Sequence, residues 1–264
     1  MYQIEGISVY LCGDRSSQPV IFIHGFPFDH TLWDEVIDVL ADKYYCISYD
    51  IRGFGSSAVG TGQFTMEQYV DDLEQLISVL ELEDPILCGF SMGGYIALRA
   101  HEREKANYKA LILANTTTLS DSDEARLKRA AAIKGIDEEG TEPFLDSFFS
   151  VAFTDAYREK KAQKPEEWKT RILRFSPIGI KGGLFAMLGR TDTTQSLKNA
   201  EIPVLLITGK EDRVISPDKM KKMGEGIKNS TFVSLDHCGH MSMIENPQGF
   251  ISAVQSFLEQ LNAV

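Results

Sequence analysis

Six short apolar runs alternate along the chain with segments whose apolar residues recur at helical spacing. The runs are Pro19–His24, Tyr44–Asp50, Pro85–Gly89, Ala110–Ala114, Pro203–Thr208 and Thr231–Leu235. Each is nearly continuous in hydrophobicity, which is the pattern of strands covered on both faces in a mostly parallel sheet. Between them, Thr65–Leu80 places Met66, Tyr69, Val70, Leu73, Leu76, Ile77 and Leu80 on one helical stripe. Ser91–Glu104 opens with small residues and then carries Tyr95, Ile96 and Leu98. Asn246–Leu261 starts with a capping residue and a proline, and its stripe is Phe250, Ile251, Val254, Phe257, Leu258 and Leu261. Strand and helix in alternation predict an open, doubly wound α/β sheet. Tyr2–Leu11 predicts an antiparallel hairpin added at one edge.

The alternation stops between Thr117 and Gln195. Asp121–Lys134, Pro143–Phe153, Glu166–Phe175 and Pro177–Leu188 each read as helix, with Ser176-Pro177 as a further cap-plus-proline start. A helical block inserted between two sheet strands has no place in the sheet layer. It is expected to lie as a lid over the carboxyl edge of the strands, where open α/β sheets bind ligands. The expected organisation is therefore a core of residues 1–116 and 196–264 with a helical lid at 117–195.

Chemistry concentrates at strand ends. Gly89-Phe90-Ser91-Met92-Gly93-Gly94 follows the third run and opens a helix, so it is a G-x-S-x-G turn in the strand–turn–helix setting that such a motif requires. The turn is tight, and bulky side chains at positions 89 and 93 would crowd it. Ser91 is exposed at its tip as the candidate nucleophile, above a helix N-terminus that favours developing negative charge. Attack on a carbonyl builds an oxyanion that needs two donors. The Met92 N–H is one candidate. The Phe26 N–H, in His24-Gly25-Phe26-Pro27 after the first run, is the other, because Pro27 has no N–H to offer.

The chain has five histidines. A catalytic base is expected on the loop after the last strand, where His237 and His240 both lie. His240 is preferred, since Gly239 allows a sharp loop before it, and His237 is assigned a supporting role in that loop. His237-Cys238-Gly239-His240 is read against a metal cluster, because no second ligand pair with zinc-like spacing occurs elsewhere. His24 is assigned to holding its own loop through ring hydrogen bonds, and His30 and His101 to surface or packing. The acid that orients His240 is placed at Asp212, in the tip of Gly209-Lys210-Glu211-Asp212 after the fifth run, with Glu211 as the alternative. One strand earlier, Asn115 and Thr116 cannot carry the charge. The order Ser91, Asp212, His240 is the one expected for this arrangement. Phe28 and Met241 are expected to help line an apolar substrate pocket beside Phe26 and Met92.

Bulk properties narrow the partners. With 264 residues the chain can bury a substantial core. A formal net charge of −11 disfavours phosphate backbones and anionic lipid, so nucleic acid and membrane are not expected partners. No apolar run approaches the ~18 residues that span a bilayer. The four cysteines share no paired spacing, and the expectation is a cytoplasmic protein with free thiols. Cys46 and Cys88 sit inside strand runs as small hydrophobes, and Cys238 is read as a loop residue rather than a reactive thiol.

Taken together, His24–Pro27, Asp50-Ile51-Arg52-Gly53-Phe54-Gly55-Ser56-Ser57, Gly89–Gly93, Gly209–Asp212 and Gly239-His240 resemble the α/β-hydrolase fold family over nearly the whole chain. With Gly189-Arg190-Thr191-Asp192, the likeness is strongest to small bacterial carboxylesterases and 3-oxoadipate enol-lactonases. The resemblance implies hydrolysis of a small-molecule ester or lactone through an acyl-enzyme, with no metal or organic cofactor, by a monomer or homodimer. It leaves open perhydrolase, haloperoxidase or C–C bond chemistry with the same residues, and a non-catalytic receptor on the same fold. The Asp50–Ser57 segment is expected to shape a turn near the site rather than to react.

Overall fold

A computed structural model describes residues 1–262. The strands are β1 (Tyr2–Ile4), β2 (Ile7–Cys12), β3 (Pro19–Ile23), β4 (Tyr45–Tyr49), β5 (Ile86–Phe90), β6 (Ala110–Ala114), β7 (Val204–Gly209) and β8 (Ser230–Leu235). They form one eight-stranded sheet in the order β1-β2-β4-β3-β5-β6-β7-β8. The β1–β2 and β2–β4 pairs are antiparallel, as expected for an edge hairpin, and every other pair is parallel. All residues of β4, β5, β6 and β7 are buried, which is why those runs carry no polar alternation. The edge strand β8 leaves Thr231 and Phe232 exposed.

The helices are α1 (Asp34–Leu40), α2 (Met66–Val79), α3 (Met92–Arg103), α4 (Asp123–Glu139), α5 (Thr141–Ala152), α6 (Asp155–Lys160), α7 (Gln163–Ile172), α8 (Pro177–Leu188), α9 (Thr194–Lys198), α10 (Pro217–Gly224), α11 (Ser242–Glu245) and α12 (Pro247–Asn262). Helix α3 packs on β5 with α2 against it, and α12 packs on β7 and β8 beside α1. The caps read from sequence at Ser176 and Asn246 are in place, and Thr65 adds a third. Thr65 accepts from the Gln68 N–H at 3.1 Å, Ser176 from Ile178 at 3.3 Å and Asn246 from Gly249 at 3.0 Å.

Helices α4 to α9 all lie between β6 and β7, so the break in alternation marks a helical insertion. Its helices depart from the expected bounds where a cap lies elsewhere. Helix α4 starts after Ser122, whose hydroxyl accepts from Ala125 N–H at 3.2 Å, and runs on to Glu139 because Gly140, at φ 88°, ends it. The insertion packs on the loops at the carboxyl ends of the strands. Phe144 meets Phe26, Phe148 and Phe149 meet Phe28, and the Arg171 guanidinium pairs with Asp29 at 2.6 Å. Short elements escaped the periodic reading: α1, α6, α9, α11 and the 3₁₀ turn His30–Trp33 each span seven residues or fewer. Among the described residues no helix is long and apolar enough to cross a membrane.

The strand order fixes where a site can form. From β3 the chain moves to β4 on one side, and from β4 it returns across β3 to β5. The loops after β3 and β5 therefore leave the sheet in opposite directions and open a crevice at the carboxyl edge. Phe26 and Ser91 lie on those two loops.

Candidate active site

Ser91 sits between β5 and α3 at φ 50° and ψ −112°, a backbone conformation that costs free energy in any residue but glycine. The strain is held by its surroundings. Ser91 N–H donates to the Ala114 carbonyl at 2.9 Å, and the Thr116 hydroxyl donates to the Ser91 carbonyl at 2.8 Å. A Cβ at position 89 would stand 2.5 Å from the Gly93 carbonyl oxygen, and one at 93 would collide with the Ile23 carbonyl. Both contacts are backbone, so neither can give way cheaply, and the motif tolerates only glycine there.

The Ser91 hydroxyl lies 3.1 Å from His240 Nε2, and His240 Nδ1 lies 2.9 Å from Asp212 Oδ2. Both His240 and Asp212 are buried, while Ser91 is partly open. Three separate strand ends, after β5, β7 and β8, supply the three side chains. Asp212 Oδ1 accepts the N–H groups of Val214 and Ile215, each at 2.8 Å, and Oδ2 also accepts from Asn115 Nδ2 at 2.8 Å. Burial pushes the Asp212 carboxyl up. The His240 charge, the His240 ring, Asn115 and the Ile215 N–H outweigh it and hold the group below its ordinary value. Glu211 is exposed and bonds none of these groups through its side chain.

His24 is fully buried, and burial holds its ring below its ordinary pKa, in the neutral form. Its Nε2 accepts from Ile51 N–H at 2.9 Å, so Nδ1 carries the proton and donates to the Gly25 carbonyl at 2.9 Å. His24 thus joins the loop after β3 to the loop after β4. The Phe26 N–H beside it and the Met92 N–H at the start of α3 have no protein acceptor among the described residues.

The Asp50–Ser57 segment forms a turn around the buried Asp50. Asp50 accepts from the His30 N–H at 2.9 Å, the His30 ring at 2.7 Å and the Ser56 N–H at 2.8 Å. Burial works against its charge, but these bonds hold the carboxyl below its ordinary value. His30 also stacks on Tyr10 with ring centroids 3.4 Å apart, and Arg52 grips Asp72 at two points. Asp29, His30 and Asp50 approach within metal-ligating distance of one another. Their ligand atoms are already taken: Asp29 accepts from Thr31 and Arg171, and Asp50 from His30 and Ser56.

One expectation changes. His237 does not support its loop: it is exposed, at φ 56°, with no side-chain hydrogen bond among the described residues. The loop is tied instead by Glu245, whose carboxylate accepts from Gly239 N–H at 2.9 Å, Thr154 N–H at 2.9 Å and Thr154 Oγ1 at 2.7 Å. His240 N–H adds a bond to the Ala152 carbonyl at 3.0 Å. Phe28 is enclosed by Phe90, Phe148, Phe149 and Trp168, and Met241 is buried at the head of α11. A cavity of about 740 Å³ between the loop after β3 and helices α4, α5 and α8 has Phe26 in its wall. Aromatic side chains from the insertion have drawn Phe28 into the packing between block and sheet.

Sequence reasoning missed Asn115 and Glu245 as parts of the site. Asn115 lies at φ 46°, accepts from Ser242 Oγ at 2.6 Å and donates to Asp212. Its place one strand before Asp212 had been weighed only for a charge that an amide cannot carry, not for holding Asp212. Glu245 had none, because its partner Thr154 lies 91 residues away on the insertion.

Comparison with known proteins identifies the fold family. A model of the alpha/beta hydrolase fold matches residues 18–247. The chain is 28% identical to 3-oxoadipate enol-lactonase 2 of Acinetobacter baylyi, over 95% of this chain and 92% of that protein. It is 26% identical to 2-hydroxy-6-oxo-6-(2'-aminophenyl)hexa-2,4-dienoic acid hydrolase of Metapseudomonas resinovorans, over 92% of this chain and 84% of that one. Among solved structures, a thermophilic esterase from Thermogutta terrifontis superposes with a TM-score of 0.92 at 29% identity, covering 97% of this chain and 93% of that one. With the elbow at Ser91, the parallel sheet that presents it and a match across most of its length, the chain belongs to the α/β-hydrolase fold family.

Proposed function

We propose that this chain is a serine hydrolase that cleaves a small carboxylic ester or lactone through an acyl-enzyme intermediate. The observation that carries the reading is the continuous hydrogen-bonded path from Ser91 Oγ through the His240 ring to Asp212, beside two N–H groups with no protein acceptor among the described residues. His240 Nδ1–H donates to Asp212, which leaves Nε2 free to take the Ser91 proton. Ser91 Oγ then bonds to the substrate carbonyl carbon, and the negative charge that develops on its oxygen is received by the Phe26 and Met92 N–H groups. The His240 proton passes to the leaving alkoxide as the ester bond breaks. Water, deprotonated by His240, attacks the acyl-enzyme and restores Ser91. Every group in this cycle belongs to the chain or to water.

The helices between β6 and β7 act as the lid in this reading, since their aromatic residues stand against the oxyanion loop at Phe26. Hydrolysis of p-nitrophenyl acetate and fluorophosphonate labelling test the proposal together. Ser91→Ala should abolish both. An unchanged rate in the variant would assign the chemistry elsewhere, and absence of both activities in the unaltered chain would favour a non-catalytic receptor.

A further inference from the structure

Strand β8 ends the sheet, and its outer edge has no neighbour. Val204 N–H donates to the Asn229 carbonyl at 2.9 Å, and Lys210 N–H to the Leu235 carbonyl at 2.9 Å. Residues alternate in a parallel ladder, so the odd-numbered positions of β8 bond to β7. Ser230, Phe232 and Ser234 therefore turn their N–H and C=O groups outward. No other segment bonds these groups among the described residues. An open edge of this kind is a template for another strand, and proteins blunt it with a charge, a proline or a bulge. Ser230–Leu235 carries neither charge nor proline, and its register with β7 is unbroken.

The outward residues are spaced evenly about Phe232, which makes the edge complementary to itself. A two-fold axis normal to the sheet at Phe232 sets Ser230 opposite Ser234 of a second copy, and Phe232 opposite its own counterpart. Every outward N–H then meets an outward C=O, as in the hydrogen-bonded pairs of an antiparallel ladder. Moving the axis to Thr231 or Val233 leaves Ser234 or Ser230 beyond the end of the other strand. The flanks fit the same pairing. Beside the edge runs a groove of about 290 Å³ between β8 and α12, walled by Thr231, Val233, Ser252, Ala253 and Ser256. No ionisable side chain lines it, on a chain of net charge −11. Depletion of charge is the mark of an interface core. Antiparallel pairing also brings opposite charges to the strand ends. Lys228 is exposed and meets no carboxylate within salt-bridge distance among the described residues. It lies before the strand, toward the end where the exposed Asp236 follows it in a second copy.

We propose that two copies of this chain pair their β8 edges antiparallel about Phe232, which joins two eight-stranded sheets into one continuous sheet. The interface is isologous, so the same patch serves both copies and the assembly closes at two. Thr231 of each copy lies opposite Val233 of the other, on the face that carries α12. The proposal stands independently of the hydrolase reading.

Sedimentation velocity on the full chain should give twice the mass of one chain. Phe232→Lys sets like charges face to face on the axis, at a position already 36% exposed. It should weaken dimerisation by at least about tenfold while the far-UV circular dichroism stays unchanged. The register is read by disulfide cross-linking in a Cys12→Ser background, because Cys12 is the exposed native thiol. Opposite residues in a non-hydrogen-bonded pair have Cα atoms about 4.5 Å apart, within disulfide reach. A chain with both Thr231→Cys and Val233→Cys should therefore oxidise to a covalent dimer, and neither single variant should. A monomer at every concentration, a dimer that Phe232→Lys leaves intact, or a double variant that does not cross-link would overturn the proposal. Cross-linking by either single variant would overturn the register. Should Phe232→Lys fail to fold, the cysteine pair decides alone.

Discussion

Replacing Asp212 by asparagine should disable the base without moving it. The orientation of the new amide is dictated by the backbone. Val214 and Ile215 each present an N–H at 2.8 Å to Oδ1, so the amide oxygen must take that position. The amide nitrogen then stands where Oδ2 was, 2.9 Å from His240 Nδ1 and 2.8 Å from Asn115 Nδ2. It can only donate to His240, which forces Nδ1 to accept and transfers the ring proton to Nε2. In that tautomer Nε2 has no lone pair for the Ser91 proton. A wrong tautomer of this kind costs on the order of 10⁴-fold in kcat, about 5 kcal/mol of barrier. The two facing amide nitrogens, that of Asn115 and that of the substituted side chain, add a buried donor–donor conflict worth about 1–3 kcal/mol of stability. Steady-state hydrolysis of p-nitrophenyl acetate and urea denaturation measure the two effects separately. Retention of more than a tenth of kcat would refute the tautomer argument, and a parallel loss in Glu211→Gln alone would move the acid to Glu211.

Glu245→Gln should lower kcat with KM nearly unchanged, because one amide oxygen cannot accept from both Gly239 and Thr154, and the loop that carries His240 loosens; equal kcat would show that Glu245 does not position it. Asp121→Ala should destabilise the fold by about 3–5 kcal/mol in urea, since it strands the buried Arg190 together with Arg129. In the native protein Ellman's reagent should count Cys12 alone: Cys46, Cys88 and Cys238 are buried, and burial pushes the Cys46 and Cys238 thiols up to about 12. The carboxyls of Asp50, Asp121 and Asp212 are held below their ordinary values, so each contributes stability above about pH 4 that disappears as pH falls through the depressed folded value. Denaturant midpoints should therefore hold from pH 7 to about 5 and drop steeply below 4.

The sheet was legible because its central strands are buried on both faces. Ile86–Phe90 and Ala110–Ala114 could not carry polar residues without stranding them between layers, so the runs announce themselves. Long amphipathic helices were equally plain, as α2 illustrates. The short helices were not. Helix α6 buries no residue, and α11 spans four residues set by the loop around His240 rather than by any period of its own. Helix α8 shows the opposite limit: it is apolar on most of its surface, yet its bounds at Pro177 and Leu188 follow from the Ser-Pro start and from Gly189.

Within the site, what could be read ahead of the structure was what the chemistry demands locally. Gly89 and Gly93 are dictated by atoms a few residues away or on the neighbouring strand, so the elbow survives as a contiguous motif. Asp212 and His240 each follow a recognisable strand. Residues that act through distant contacts leave no such mark. Glu245 holds the His240 loop to Thr154 on the insertion, and Phe28 is enclosed by rings of the insertion, far along the chain. The same division separates the core strands from the insertion. Ser91, His240 and Asp212 follow core strands whose apolar runs announce them, whereas α4, α5 and α8 enclose a cavity with Phe26 that their helical periodicity, which specifies packing against the core, does not foretell.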